Sequence, residues 1–232
     1  MRALELQPTS NQNFRIVGHG SRGNLAARLD ASVAAANSGD IDTACNMRYE
    51  AFQDIMACLP DDDSVVELDR NHGNTLAAMR TIYYSALDSY LIADYEMASA
   101  QLELLIDCDN EDPLEATPLL ALCYCGLGEW ECLEDIDTDL GDKSIMQPLC
   151  RAISSFVQTS TCDSAAIAQL KRDREFCCEL CSDSHPTDES YSRDIYSDHP
   201  SKKAIARESY LLCEPILKLH NGLLPTLKSL LQ

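Results

Sequence analysis

The sequence predicts an all-α chain: an α-solenoid of about three antiparallel helix pairs with an irregular C-terminal helical cap. Three observations carry this expectation. Ala and Leu are frequent, while aromatics make up only 6% of the 232 residues and Gly and Pro number nine each, a composition that favours tightly packed helices over strands. The stretch Leu119–Leu133 reads as one helix, a glycine turn at Gly126-Leu127-Gly128, and the start of a second helix. Finally, Ala93-Asp94-Tyr95-Glu96-Met97-Ala98 stands 35 residues before Gly128-Glu129-Trp130-Glu131-Cys132-Leu133, with an aromatic residue at the same place after the turn. A repeat of roughly 34 residues is the mark of stacked helix pairs.

Residues 1–23 are polar and turn-rich and read as a flexible N-terminal arm. They end in a short strand-like run, Phe14-Arg15-Ile16-Val17, followed by Gly18-His19-Gly20-Ser21-Arg22-Gly23, a literal G-x-G-x-x-G. In a dinucleotide-binding fold such glycines let a pyrophosphate approach the backbone at a helix N-terminus. Here the second strand of a βαβ unit does not follow; Ser38-Gly39-Asp40 and another helix come instead, so the motif lacks its context.

From Asn24, a good N-cap, Leu25, Leu29, Val33 and Ala36 recur at helical spacing. A second helix runs from Ile41 to Leu59 and stops at Pro60. Asp61 to Asn74 is acidic and turn-prone and reads as an insertion. A long helix over Thr75–Ala93 then pairs with one over Tyr95–Asp107, closed by Asp109-Asn110-Glu111-Asp112-Pro113. The third pair is completed by Trp130–Leu140 and stopped by Gly141, so the repeats span 24–141. Ile145–Val157 and Ala165–Cys181 make one irregular helical pair within 142–181. Residues 182–200 are almost without aliphatic side chains and read as a linker. Residues 201–232 supply two terminal helices as a cap, with a turn or kink expected at Pro215.

The repeats share a small residue before the turn (Gly39, Ala93, Gly128), an apolar residue after it (Ile41, Tyr95, Trp130), and a packing residue three further on (Ala44, Ala98, Leu133), with closing prolines Pro60 and Pro113. Over residues 25–140 this pattern resembles the tetratricopeptide repeat (TPR) family. It departs from the family where Leu133 replaces the usual alanine, where Arg48 falls near a normally apolar position, and where the first spacing is 54 residues. The resemblance implies that the first helix of each pair lines a concave groove and the second faces outward. Counting from Tyr95, it turns Arg80, Tyr83, Leu87, Tyr90 and Leu91 toward the groove, with Glu115, Leu122 and Cys125 in the next pair. It also implies a non-enzymatic module, an adaptor, chaperone or scaffold subunit, that binds a protein segment through Arg80, Tyr83, Leu87, Tyr90, Leu91 and Leu122. Tyrosine suits such a role because it offers area and a hydrogen bond at low entropy cost. The alternative reading is a nucleotide-dependent enzyme built on the Gly18–Gly23 loop.

Charge narrows the partners. With 38 acids against 18 bases the net charge is −20, which argues against nucleic acid as a partner. Between Thr81 and Asp142 there are 16 acids and no Lys or Arg. Most, including Glu96, Glu103, Asp107, Glu131, Glu134 and Asp135, fall on second helices or loops, so they read as a solvated outer face, with a docking surface for a basic protein partner as the rival. Ser201–Gln232 instead carries five bases, Lys202, Lys203, Arg207, Lys218 and Lys228, against Glu208 and Glu214. No run approaches the ~20 apolar residues needed to cross a bilayer, and the N-terminus lacks a signal-peptide core. A cytoplasmic protein without membrane insertion is expected, and membership of a larger complex is compatible with that.

Twelve cysteines read, in a reducing cytosol, as small buried hydrophobes; Cys45, Cys58, Cys108, Cys123, Cys125, Cys132, Cys150 and Cys213 lie in or beside helical patterns. Cys178 and Cys181 have C-x-x-C spacing, and His185 with His199 or Cys177 could complete a tetrahedral zinc. The same three cysteines also suit packing along one helix, and no metal and no cofactor is expected. None of the five histidines, His19, His72, His185, His199 and His220, pairs with a nucleophile signature, so no enzymatic activity is expected.

Overall fold

Short alternating stretches at the N-terminus pair before the helices begin. The computed structural model describes residues 3–10, 13–60, 66–109, 111–141 and 144–232. Strand β1 (Leu4–Pro8) runs antiparallel to β2 (Asn13–Gly18), with Leu4 opposite Gly18 and Leu6 opposite Ile16. After a single turn of helix, α1 (Gly20–Gly23), come helices α2 (Leu25–Asn37) and α3 (Ile41–Met56), and then the two-residue strand β3 (Glu67–Leu68), parallel to β2. Leu4, Ile16 and Leu68 are buried. The sheet is fixed from outside by helix α4 (Gly73–Leu91): Thr75 Oγ1 accepts from the Ile16 N–H at 2.9 Å, while the Asn74 side chain donates to the Ile16 carbonyl at 3.3 Å and accepts from the Leu25 N–H at 3.0 Å.

The expectation for residues 1–23 is therefore corrected: the chain is mostly helical, about two-thirds of its described residues, with a small three-stranded sheet at one end. The arm is paired because its backbone finds partners in side chains of α4, which no local pattern announces. The insertion reading of 61–74 falls partly on residues 61–65, outside the described residues; its second half supplies β3.

The chain divides into two units, Met1–Leu120 and Ala121–Gln232. In the first, α2 and α3 form one hairpin, and α4 forms another with α5 (Tyr95–Cys108). Helices α6 (Ala116–Leu127) and α7 (Trp130–Asp135) are joined by a third turn. The three turns have one geometry. Gly39, Ala93 and Gly128 are left-handed, with φ of +88°, +64° and +74°. The next residues, Asp40, Asp94 and Glu129, have φ/ψ of −87°/71°, −86°/70° and −86°/71°. Their N–H groups reach back five residues to the carbonyls of Ala35, Ser89 and Tyr124 at 3.0, 2.9 and 3.0 Å. This is the Schellman closure, in which a left-handed residue lets the last carbonyls of a helix be satisfied. Asp40 and Asp94 then cap the following helix, accepting from the Thr43 and Met97 N–H groups at 3.2 Å. Three residues into each helix, Ala44 and Ala98 are wholly buried.

Ala93 is the one of the three that carries a Cβ into this conformation. A left-handed non-glycine residue costs roughly 1–2 kcal/mol, partly offset by the greater unfolded-state freedom of glycine. Ala93→Gly is thus expected to stabilise the first unit by about 0.5–1 kcal/mol, read as a higher urea midpoint at unchanged slope.

In the second unit, three helices stand where one irregular pair was expected: α8 (Met146–Thr159), α9 (Ser164–Leu170) and α10 (Arg174–Cys181). Asp163 and Asp173 cap α9 and α10 through the Ala166 and Phe176 N–H groups at 2.8 and 2.9 Å. The linker expectation for 182–200 is also corrected, because α11 (Glu189–Ile195) lies within it. Polar anchors hold it to α12 (Lys202–Leu219): Asp194 accepts from the Ser201 N–H and hydroxyl at 2.8 and 2.7 Å, Arg207 donates to the Pro186 carbonyl at 2.7 Å, and Tyr191 donates to Glu208. Nor does Pro215 break the helix; α12 continues through it to Leu219, followed by α13 (Leu223–Leu231).

Helix α12 packs on α10; Tyr210, Cys213, Ile216 and Leu217 of α12 and Phe176 and Leu180 of α10 are all buried, with Cys213 Sγ 3.5 Å from Met146 Sδ of α8. The buried Glu179 accepts from Arg207 at 2.7 and 3.2 Å and meets His185 Nδ1 at 2.8 Å. Burial pushes its carboxyl pKa up, but Arg207 and His185 together pull it below the usual range. No helix among the described residues is long and apolar enough to cross a membrane.

Candidate functional site

A cavity of about 590 Å³ opens on the first unit between α2, α4 and the loop that leads into α6. Helix α2 contributes Leu29, Asp30 and Val33; α4 contributes Arg80, Tyr83 and Tyr84; Pro113, Leu114 and Glu115 close the end. The positions are equivalent along the repeat. Leu29 stands 12 residues before Ile41 just as Tyr83 stands 12 before Tyr95, and Arg80 and Glu115 each stand 15 before Tyr95 and Trp130. Leu29 of α2 and Tyr83 of α4, which hold the same place before their turns, thus line one cavity.

Its chemistry is mixed: apolar and aromatic side chains stand beside three charged ones, Asp30, Arg80 and Glu115. The Tyr83 and Tyr84 rings meet edge to face, centroids 5.8 Å apart at 79°. The Arg48 guanidinium lies 6.0 Å from the Tyr84 ring centre, within cation–π range. Arg48, on α3, is itself only 9% exposed and forms a two-pronged pair with Asp88 of α4, at 2.7 and 3.0 Å. Burial raises the Asp88 carboxyl above its usual range, against the pull of Arg48. The departure from an apolar residue at position 48 is thus answered by an acid on the facing helix, and the pair braces the wall that carries Tyr84. Arg80 is exposed and makes no ion pair with any described residue. At the far end Asp112 and Glu115 have φ of +44° and +54°. The Asp112 carboxylate accepts from the Ala116 and Thr117 N–H groups at 2.7 and 2.9 Å and the Thr117 hydroxyl at 2.7 Å, so helix capping holds that strained loop in place.

Of the residues expected to meet a partner, the structure brings Arg80 and Tyr83 together in the cavity, with Glu115. Leu87 is half-buried outside the lining, and Leu91 is 57% exposed at the end of α4. Tyr90 and Leu122 are corrections: both are 0% exposed. Tyr90 packs against Tyr95, ring centroids 5.6 Å apart, beneath the Ala93 turn, and Leu122 lies in the wholly buried run of α6. Cys125 is likewise buried. Sequence reasoning missed Leu29, Val33 and Tyr84. The first two were within reach, since the count that selects Tyr83 and Leu87 before Tyr95 lands on them before Ile41.

The glycine loop has a packing explanation. A Cβ on Gly18 would lie 1.8 Å from the Gly23 carbonyl oxygen, and one on Gly23 would lie 2.3 Å from the Ala3 carbonyl oxygen. These two glycines let the end of β2, the α1 turn and the start of β1 touch backbone to backbone. At the cysteine cluster, Cys177 is buried and donates to the Leu170 carbonyl at 3.3 Å, Cys178 is exposed, and Cys181 lies 3.9 Å from the Lys228 carbonyl. His185 stacks on Tyr210, centroids 3.9 Å apart. Among the described residues no group of three or more His, Cys, Asp or Glu is placed to hold a metal ion.

Cys108, Cys123, Cys125, Cys150 and Cys213 are buried as expected, whereas Cys132 is exposed and Cys45 and Cys58 are half-buried. Burial pushes the Cys108 thiol up to about 12, which keeps it protonated and inert. The acids Glu96, Glu103, Asp107, Glu131, Glu134 and Asp135 are all exposed. No family model, no characterised protein and no solved structure matches this chain.

Proposed function

We propose that the protein is a non-enzymatic binding module, TPR-like in its helix pairs, that holds a segment of another protein in the cavity between α2 and α4. The observation that supports this reading is that Leu29 and Tyr83, at the same place before their turns on successive first helices, line one open cavity together with Val33, Tyr84 and Arg80. Buried aromatic anchors beside an arginine dominate the energetics of most recognition surfaces. Leu29, Val33 and Leu114 would take apolar side chains of the segment, Tyr83 and Tyr84 would stack and hydrogen-bond, and Arg80 would meet an acidic group or a main-chain carbonyl.

Selection from a displayed random-peptide library tests this. Enriched peptides are expected to share a motif and to bind the Tyr83→Ala/Tyr84→Ala variant at least about tenfold more weakly than the wild type. Equal affinity for both would remove the groove from the reading. The alternative is a nucleotide-dependent enzyme using the Gly18–Gly23 loop, whose Gly18 and Gly23 also have a packing role in their close backbone contact. Calorimetric titration with dinucleotides and nucleoside triphosphates separates the two, saturable heat favouring the alternative.

A further inference from the structure

We propose that the second unit carries a separate binding site for an acidic peptide segment with an apolar anchor, in a cavity ringed by Arg172, Arg174 and Lys202. The cavity, about 630 Å³, lies among the start of α8, the turn between α9 and α10, and the first turns of α12. Ile145, Pro148, Phe176 and Ile205 line its apolar part, and Ile205 is 48% exposed.

Charge placement selects the occupant. Acids outnumber bases 38 to 18, so carboxylate partners are plentiful in this chain and a cluster of cations that meets none stands out. Among the described residues nine Lys and Arg side chains are held in ion pairs. Those in none are Arg15, Arg80 and a set of five: Lys171, Arg172, Arg174, Lys202 and Lys203. All five are exposed, and the fold gathers them from two separate segments around one cavity, three lining it and two flanking it. The acids among the described lining residues do not neutralise them: Asp173, whose carboxylate caps α10 through the Phe176 N–H at 2.9 Å, and Glu175 stand against three lining and two flanking cations, and neither acid is within ion-pair distance of any of them.

Exposed cations around an apolar floor fit a ligand that is anionic at its rim and apolar at its centre. Carboxylates meet arginine with two parallel hydrogen bonds, and an aliphatic side chain would cover Ile205 and Pro148. A long polyanion such as nucleic acid fits less well, because the field of the whole −20 chain opposes it.

The test is a fluorescence-anisotropy titration of the full chain into a short fluorescein-labelled peptide of Asp and Glu around a central Leu. Saturable binding that weakens as salt rises is expected, falling about tenfold in Arg172→Glu/Arg174→Glu. It should also fall severalfold in Ile205→Ser or when the peptide's Leu becomes Ser. Lys202→Glu provides a second reading from the other segment, and an unchanged melting temperature verifies that these surface variants fold. Tyr83→Ala/Tyr84→Ala should leave this affinity unaltered, which keeps the proposal distinct from the groove of the first unit. Absence of saturable binding by the wild type, equal affinity in the double charge reversal, or full displacement by inorganic phosphate with no dependence on the central Leu would overturn it.

Discussion

Asp88→Ala is expected to lower the stability of the first unit by about 2–4 kcal/mol, read as a fall in the urea midpoint. Removing the carboxylate strands the Arg48 guanidinium, whose side chain is 10% exposed, against a partner that was 19% exposed. Breaking a fully buried pair costs roughly 3–5 kcal/mol, and the residual access to water brings the figure somewhat below that range. The double replacement Arg48→Met/Asp88→Leu should regain most of the loss, since well-packed apolar residues substitute for a buried pair at little net cost. A double variant as unstable as the single one would show that volume, not charge, sets the effect. Because Arg48 also faces the Tyr84 ring, Asp88→Ala should weaken peptide binding in the groove as well.

Gly18→Ala should cost about 3 kcal/mol or more, with hydrogen-exchange protection lost first in β1 and β2 and kept in α4 and α5. The added methyl would meet the Gly23 carbonyl oxygen at 1.8 Å, and both partners are backbone, so no side chain can swing aside. Overpacking of an ordinary core site costs roughly 1–3 kcal/mol, and a clash between two backbones sits at or above the top of that range. Gly20→Ala is the control. Gly20 has φ of +67° but open space around its α-carbon, so only the left-handed cost of roughly 1 kcal/mol applies. A Gly18→Ala variant with wild-type stability would remove the packing account of this loop and return the phosphate-cradle reading to consideration.

How far the sequence reached depended on whether a feature is local. Gly39, Ala93 and Gly128 were legible as turn residues because a left-handed position favours small side chains and each is followed at once by an acid, a capping Asp at Asp40 and Asp94. Arg80, Tyr83 and Glu115, which the family resemblance picked out by fixed counts before those turns, all line the cavity of the first unit. β3 was not legible, since a two-residue strand has no period of its own and exists only where β2 offers it an edge. Helix α11 was hidden for a related reason: its stability comes from polar anchors on Glu208, Ser201 and Arg207, while its own sequence is poor in aliphatic side chains.

By itself, then, the sequence determined the acidic balance through composition, and the helices of the first three pairs and their three turns through residues within a few positions of one another. Only the tertiary structure decided which of the groove candidates stay at the surface. Tyr83 and Tyr90 lie on one helix at nearly the same angle, yet Tyr90 is sealed beneath Tyr95 while Tyr83 borders an open cavity. It also decided that Arg48 is paired with Asp88 while Arg172, Arg174 and Lys202 are in no ion pair with any described residue. Burial and pairing are properties of what the rest of the chain places opposite a side chain, and that information is carried by contacts between segments far apart in sequence.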